Sequence, residues 1–189
     1  MSALDDTCQC NVTRIERAYH PDLVPDPLRT PGYLRAYLVA EGHAIGVDDP
    51  DGEATLAECL EYQYALDFPG GRYHWLIGEP ALLRTVGSAE VMTEQIHALL
   101  AAATKEHIEI GIIPLAARLV TPIRHFRIWG PEDEEICVDT EELFGVSVSR
   151  RRGDLEHADR SFELLTAQAV YGNDARAILT HALSTHTTN

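Results

Sequence analysis

Several residues that could bind a ligand or transfer protons alternate along short segments in the second half of the chain. His125, Arg127 and Trp129 recur at every second position, which places their side chains on one face if the segment is a strand. Cys137 and Asp139 share the polar face of the next such segment. An imidazole, a guanidinium, a carboxylate and an indole together could bind an anionic or aromatic ligand, or carry out acid–base chemistry. The same pattern also fits a sheet face that simply meets water.

Other polar candidates lie on neighbouring predicted elements. Glu109 alternates with isoleucines on an earlier strand, so its carboxylate could join the acid–base set. His74 and Glu79 flank the end of a further strand, where Glu79 could contact a ligand or complement the dipole of a helix that begins at Pro80. Gln63 interrupts an apolar helical stripe, so its amide either bonds to backbone or lines a pocket.

These residues support two hypotheses about function. A ligand-binding domain would use Gln63, His74, Arg127, Trp129, Cys137 and Tyr33, although tyrosines such as the last also fit a half-buried core. A small biosynthetic enzyme that needs no cofactor, such as a cyclase, isomerase or hydrolase acting on a natural product, would use as acid–base groups His125, Glu79 and Glu109. We favour binding, because the sequence contains no nucleophile elbow, phosphate-binding loop, dinucleotide fingerprint or zinc-protease motif.

Composition and charge exclude several classes of protein. The 189 residues include 30 acidic and 15 basic side chains, a formal net charge of −15, and such a surface repels the phosphates of DNA. The basic run Ser149–Arg152 fits a solvated loop or, alternatively, a site for phosphate or an acidic partner. The acidic segment Asp48–Glu53 lacks the ligand spacing of a calcium loop, and Cys8 and Cys10 are too close together for a zinc knuckle. We therefore expect no metal.

Membrane and export signals are also missing from the sequence. No apolar run approaches the roughly 18 residues that a membrane span needs, and the N-terminus lacks a basic-then-apolar signal pattern. We therefore expect a cytoplasmic protein, no membrane partner, and four cysteines in the reduced form.

The clearest part of the sheet that must position the candidates is a strand–helix–strand unit. The sequence predicts a strand at Tyr73–Gly78, a helix at about Ser88–Ala103 and a strand at Ile108–Ile113. Ser88 can cap the helix, whose apolar residues fall on one stripe, and isoleucines alternate along the second strand. Such a unit is the nucleus of a mixed sheet.

Further helices, a connector and a hairpin are predicted around this unit. A proline-rich extended connector from His20 to Pro27 follows the first helix, since proline disfavours a helix interior. Two strands in the second half, at Ile123–Trp129 and Glu135–Thr140, are predicted to form a hairpin with one apolar and one polar face. The predicted helices are Val12–Tyr19, Thr30–Gly42, Glu53–Leu66, Asp154–Tyr171 and a last helix that carries Ile178 and Leu183.

These elements together predict an α+β fold with a mixed, largely antiparallel sheet of about four to five strands, flanked by helices from both ends of the chain. A chain of this length fits one domain, which we place at residues 13–186 after a flexible leader at residues 1–12.

An ordered set of residues along nearly the whole chain resembles a known family. It comprises Leu28–Leu38, Gln63, Gly78–Arg84, Val86-Gly87, Met92, Gln95-Ile96, Leu99-Leu100, Ile108–Pro114 and Asp174–Leu179. This order is similar to the uncharacterised effector domain that follows Xre-type helix-turn-helix modules in actinobacterial antitoxin-like transcriptional regulators. The similarity covers roughly residues 13–183.

The resemblance implies a sensor that binds a ligand or holds a small partner protein while a fused module binds DNA. Here only about a dozen polar residues precede the similar region, so we expect a stand-alone domain that does not itself bind nucleic acid. The loop Leu115–Leu119 also departs from the glycine-containing loop of the family. The expected partner is a small molecule or a small protein, and a homodimer stays open.

Overall fold

One mixed sheet organises the chain. The computed structural model describes residues 15–45, 56, 57, 63, 66, 70–122, 124–130, 136–142 and 145–188. Within them six strands pair in the order β3-β2-β1-β4-β5-β6, one more than the upper number predicted. Their bounds are β1 (Ile15–His20), β2 (Arg72–Gly78), β3 (Ile108–Ile113), β4 (Phe126–Gly130), β5 (Cys137–Glu142) and β6 (Gly145–Ser149). The predicted α+β class and mixed sheet are confirmed.

Strand direction changes at the middle of the sheet. β1 pairs parallel with β2, and β2 pairs parallel with β3, as expected for strands joined through helices. β1 also pairs antiparallel with β4, and β4, β5 and β6 follow as antiparallel neighbours. The predicted hairpin is therefore present, formed by β4 and β5.

The first strand corrects the helix predicted at Val12–Tyr19. Ile15–His20 is β1, which lies between β2 and β4. Apolar residues at positions 15, 18 and 19 have helical spacing, but a central strand is buried on both faces and so loses the alternation that identifies a strand. Glu16, at 1 % exposure, looks like a surface residue in the sequence and is instead buried.

Five α-helices lie in the described part of the chain. They are α1 (Pro31–Ile45), α2 (Glu79–Leu83), α3 (Ala89–Ala102), α4 (Arg152–Thr166) and α5 (Gly172–Thr188), and a short 3₁₀ turn spans Asp26–Leu28. Ser88 caps α3 by accepting a hydrogen bond from the Val91 N–H at 3.4 Å. None of the described helices has both the length and the apolar character needed to cross a membrane.

Three predicted elements end elsewhere or fall outside the description. The helix predicted to run to Tyr171 ends at Thr166, because Val170 leaves it and bonds to the edge strand at Ile112. The leader at residues 1–12 lies outside the described residues, as does almost all of the helix predicted at Glu53–Leu66. β6, whose residues are mostly exposed, was not predicted.

The register of the strands defines two faces of the sheet. One, which we call the α3 face, carries Ala18, Trp75, Ile110, Arg127 and Asp139 across five strands. The opposite, α4 face carries Arg17, His74, Glu109, Ile128 and Val138. Side chains of α3 and α5 bury the α3 face over β1 to β3, and those of α4 bury the α4 face.

Candidate functional site

A network of charged and aromatic side chains lies on the α3 face where β1, β4 and β5 meet. The Arg127 guanidinium donates through Nε and Nη2 to one carboxylate oxygen of Asp139, at 3.0 and 2.7 Å. The Trp129 indole N–H donates to the same oxygen at 2.6 Å. The carboxylate of Glu16 on β1 accepts a hydrogen bond from the indole N–H of Trp75 on β2 at 2.7 Å. The second Glu16 oxygen lies 4.0 Å from the Arg127 guanidinium.

The antiparallel register brings these groups together. Arg127 lies opposite Ala18 on β1 and Asp139 on β5, and Trp129 lies opposite Glu16 and Cys137. Because residues directly opposite each other point to the same face, all the polar members meet on the α3 face.

The network is largely shielded from water. Asp139 is 3 % exposed and Cys137 is 2 % exposed, and the Arg127 side chain is 20 % exposed. Removing charges from water costs free energy unless good geometry and further hydrogen bonds compensate. Here the shared Asp139 oxygen supplies them, and the Arg127 guanidinium also lies 5.1 Å from the centre of the Trp129 ring.

Two imidazoles lie beside this network at the end of β1. The rings of His20 and His125 are 4.4 Å apart between centroids, and His20 is only 7 % exposed. Together they line a cavity of about 20 Å³, whose other walls are Pro21, Asp22, Leu23, Asp26, Arg29 and Glu141. A space of this size holds about one water molecule.

One nitrogen of each ring has no hydrogen-bond partner within the described chain. These atoms are Nε2 of His20 and Nδ1 of His125, and both are buried. Burial lowers the pKa of His20 well below 6.5, and the nearby His125, Arg29 and Arg127 lower the pKa further. His20 is therefore a neutral imidazole at pH 7.

The connector that closes the cavity is held by buried hydrogen bonds. The Arg29 side chain donates from Nε to the Val24 carbonyl at 2.9 Å and forms an ion pair with Asp26 at 2.6 Å. The Tyr33 hydroxyl accepts from the Val24 N–H at 3.3 Å. These bonds fix the chain between β1 and α1 over the end of the sheet.

Two amides and one glycine complete this support. Gln95, fully buried on α3, accepts from the Thr30 N–H and donates to the Leu28 carbonyl, both at 2.7 Å. Gln63 donates to the Arg29 carbonyl. Gly78 ends β2 directly beneath the connector, where an added Cβ would lie 2.1 Å from the Pro21 carbonyl oxygen.

The structure brings together five of the candidates named from the sequence, places two beside them and separates the other three. His125, Arg127, Trp129 and Cys137 share the α3 face with Asp139. Tyr33 and Gln63 lie next to the site as supports of the connector, with their polar atoms bonded to backbone as described above.

Glu109 and His74 lie on the α4 face, which corrects the placement of Glu109 beside the hairpin residues. β3 is three positions away from β4 in the sheet, and Glu109 has the opposite orientation to Arg127. Alternation alone assigns residues to faces within one strand, whereas strand order depends on pairing between distant segments. Glu109 lies 3.5 Å from His74 Nδ1, and His74 Nε2 lies 2.9 Å from the Tyr171 hydroxyl.

The surroundings of His74 and Tyr171 on the α4 face shift the pKa values of both side chains. Burial lowers the pKa of His74, although the Glu109 carboxylate acts in the opposite direction. Burial, with Glu109 nearby, raises the pKa of Tyr171 to about 12. Glu79 lies at a third place, where its carboxylate accepts from the Leu115 N–H at 2.7 Å and so ties the end of β3 to the start of α2.

Sequence reasoning missed Glu16, His20, Arg29 and Gln95. Gln95 carried a usable signal, an amide on the apolar stripe of α3, which is the signal that identified Gln63. No such signal marked Glu16 or His20, because the sequence predicts a helix around Glu16 and an extended connector from His20 onwards. Within the described residues, no group of three or more His, Cys, Asp or Glu side chains is arranged to hold a metal ion.

Comparison with known proteins supports a family assignment without adding a described activity. No curated protein and no solved structure matches the chain significantly. A family model described as a domain of unknown function (DUF5753) matches residues 13–181, which include every element from β1 to most of α5. The match covers far more than half of the sequence, and the chain therefore belongs to the DUF5753 family.

Proposed function

We propose that this domain binds a ligand, either a small molecule or a side chain of a small partner protein, in the cavity between His20 and His125. One observation carries the proposal: within the described chain, two histidines that line the same small cavity each have a buried ring nitrogen without a hydrogen-bond partner. A buried polar atom left unpaired costs about 1–3 kcal/mol, so two of them at one place suggest a group that binds there.

The surroundings of the cavity strengthen this interpretation. The neighbouring Arg29, Arg127, Asp139 and Trp129 all have hydrogen bonds or ion pairs, so the unpaired imidazole nitrogens are local exceptions in a well-connected polar region. The connector and the two amides hold the walls in place, which is the preorganisation that a binding site requires.

A sensing role fits the resemblance to effector domains of antitoxin-like regulators, in which ligand occupancy would be reported to a partner protein. The net charge of −15 supports a partner other than nucleic acid. The enzymatic alternative has less support, because His125, Glu79 and Glu109 lie at three separate places in the fold.

The proposal can be tested by screening the domain against small amines, carboxylic acids and alcohols, with two-dimensional NMR as the readout. We expect hits that shift signals of the connector and of β1. His20→Phe and His125→Phe keep a planar ring but remove the nitrogens, so both should lose these hits. The matched control His157→Phe changes an exposed histidine on α4 and should keep them.

A wild-type protein that binds no compound of the screen would refute the proposal. So would hits that persist unchanged in both cavity variants, because the ligand would then bind elsewhere.

A further inference from the structure

We propose that the group bound between His20 and His125 is a primary ammonium, supplied either by a small amine or by a lysine side chain of a partner peptide. This inference rests on the proposed function and specifies the chemistry of the ligand. Its support comes from the size of the cavity, the balance of charge around it and the hydrogen-bonding character of the two rings.

The size of the cavity restricts the group that enters. About 20 Å³ accommodates one water-sized group, such as an ammonium or a hydroxyl. A guanidinium, a phosphate or a trimethylammonium group is several heavy atoms larger and would displace the walls. The remainder of the ligand would extend past the rim, where Asp22, Asp26 and Glu141 lie.

The balance of charge favours a cation. Three carboxylates line the cavity beside one guanidinium, namely Asp22, Asp26 and Glu141 beside Arg29, and the guanidiniums of Arg84 and Arg127 lie outside this lining. Each guanidinium has a carboxylate partner, with separations of 2.6 Å for Arg29–Asp26, 3.2 Å for Arg84–Asp22 and 2.7 Å for Arg127–Asp139. An incoming anion would therefore meet net negative charge.

The hydrogen-bonding character of the rings agrees with the charge. A neutral imidazole carries one N–H donor and one lone pair, and an ammonium carries three donors and no acceptor. His20 is held neutral by burial and by the positive charges of its neighbours, so one of its ring nitrogens can offer a lone pair. A neutral His20 offers an anion only one N–H donor and no positive charge.

Three probes with the same alkyl chain separate the alternatives: n-butylamine, n-butanol and butyrate. NMR-monitored titration at pH 7.5 should show butylammonium binding at least ten-fold more tightly than butanol or butyrate. n-Butyltrimethylammonium, which is larger and has no N–H donor, should not bind. Titration with a lysine-containing peptide and its acetyl-lysine counterpart then distinguishes a partner side chain from a small amine as the natural source.

Variants and pH give readouts that a merely structural role would not produce. His20→Phe should abolish amine binding, and Glu141→Gln should weaken it several-fold, whereas Glu163→Gln on the exposed side of α4 should leave it unchanged. Amine binding should weaken as the pH falls towards the lowered pKa of His20, because protonation of that ring removes the acceptor. Binding of an anion would instead strengthen as the pH falls.

The outcomes also separate this inference from the proposed function. Preference for butyrate or butanol, or stronger binding at low pH, would show that the ligand group is not an ammonium, while the cavity would remain a binding site. If neither butylamine nor the lysine peptide binds although another compound of the screen does, the ammonium is again wrong. The absence of every ligand, or hits that persist unchanged in both cavity variants, would overturn both proposals.

Discussion

The indole N–H of Trp75 donates to the carboxylate of Glu16 at 2.7 Å, across 59 positions of sequence and between two parallel strands. Both residues are buried, Trp75 completely and Glu16 with 1 % of its surface exposed. A carboxylate in the middle of a sheet requires such a partner, and here it has the indole on one side and Arg127 on the other. The pair therefore links the parallel half of the sheet to the antiparallel half that carries the site.

Glu16→Leu is expected to destabilise the domain by about 3 kcal/mol, because the Trp75 N–H and Arg127 both lose a buried partner. Glu16→Gln keeps an acceptor for the indole and should cost about 1 kcal/mol. Urea-induced unfolding followed by tryptophan fluorescence measures both changes. Glu163→Ala, on the exposed side of α4, is the control and should stay within about 0.5 kcal/mol. Equal stability of wild type and Glu16→Leu would show that the carboxylate contributes nothing.

Arg127 and Asp139 are expected to be strongly coupled, because their two hydrogen bonds are shielded from water and share an oxygen with Trp129. A double-mutant cycle with Arg127→Gln and Asp139→Asn should give a coupling free energy of about 1–3 kcal/mol. The exposed pair Arg152–Glu156, with N and O 2.8 Å apart, provides the comparison and should give about 0.3–0.5 kcal/mol. Couplings of the same size for both pairs would contradict the role that we assign to burial.

Stability is expected to fall as the pH drops below about 6.5, the ordinary pKa of an unfolded-state histidine. The folded state lowers the pKa of His20 and of His74, so the unfolded chain binds protons first as the medium is acidified. Free energies of unfolding measured at pH 7.5, 6.5 and 5.5 should decrease in that order. The slope should be smaller in His20→Phe and unchanged in His157→Phe. If the free energy of unfolding of His20→Phe depends on pH as steeply as that of the wild type, His20 does not contribute to the pH dependence.

Gly78→Ala is expected to displace the connector and to destabilise the fold by about 2–3 kcal/mol, because its Cβ would lie 2.1 Å from the Pro21 carbonyl oxygen. Pro21 is also a wall of the cavity, so ligand binding should weaken in the same variant. Gly153→Ala is the matched control, since a Cβ there meets nothing within 4 Å and the residue lies in α4, where alanine is the better helix former. Thermal unfolding and the NMR titration report the two effects separately.

The strand–helix–strand unit could be predicted because each of its signals is local. Ser88 precedes the helix that it caps, and isoleucines alternate within β3 itself. The α3-face grouping of Arg127 and Trp129 was equally accessible, since alternation within one strand decides it.

The remainder depended on partners far away in the sequence. The sequence predicts a helix over β1 because its apolar residues have helical spacing, and the partners of Glu16 and Arg17, which are Trp75 and Asp159, lie 59 and 142 positions later. Nothing within residues 15–20 reveals those bonds. The cavity was missed for the same reason, because it forms only where β1, the connector and the start of β4 come together.

The position of β1 also dictates the order in which the molecule can be assembled. Of the six described strands β1 comes first in the sequence, and its two neighbours begin only at Arg72 and Phe126. The entropy cost of closing loops of that length comes before the free-energy gain from pairing β1 with its neighbours. Folding is therefore slow compared with that of a helical bundle. Until the second of those neighbours is synthesised, one edge of β1 keeps its backbone hydrogen-bonding groups unpaired, which favours contacts with other chains during translation.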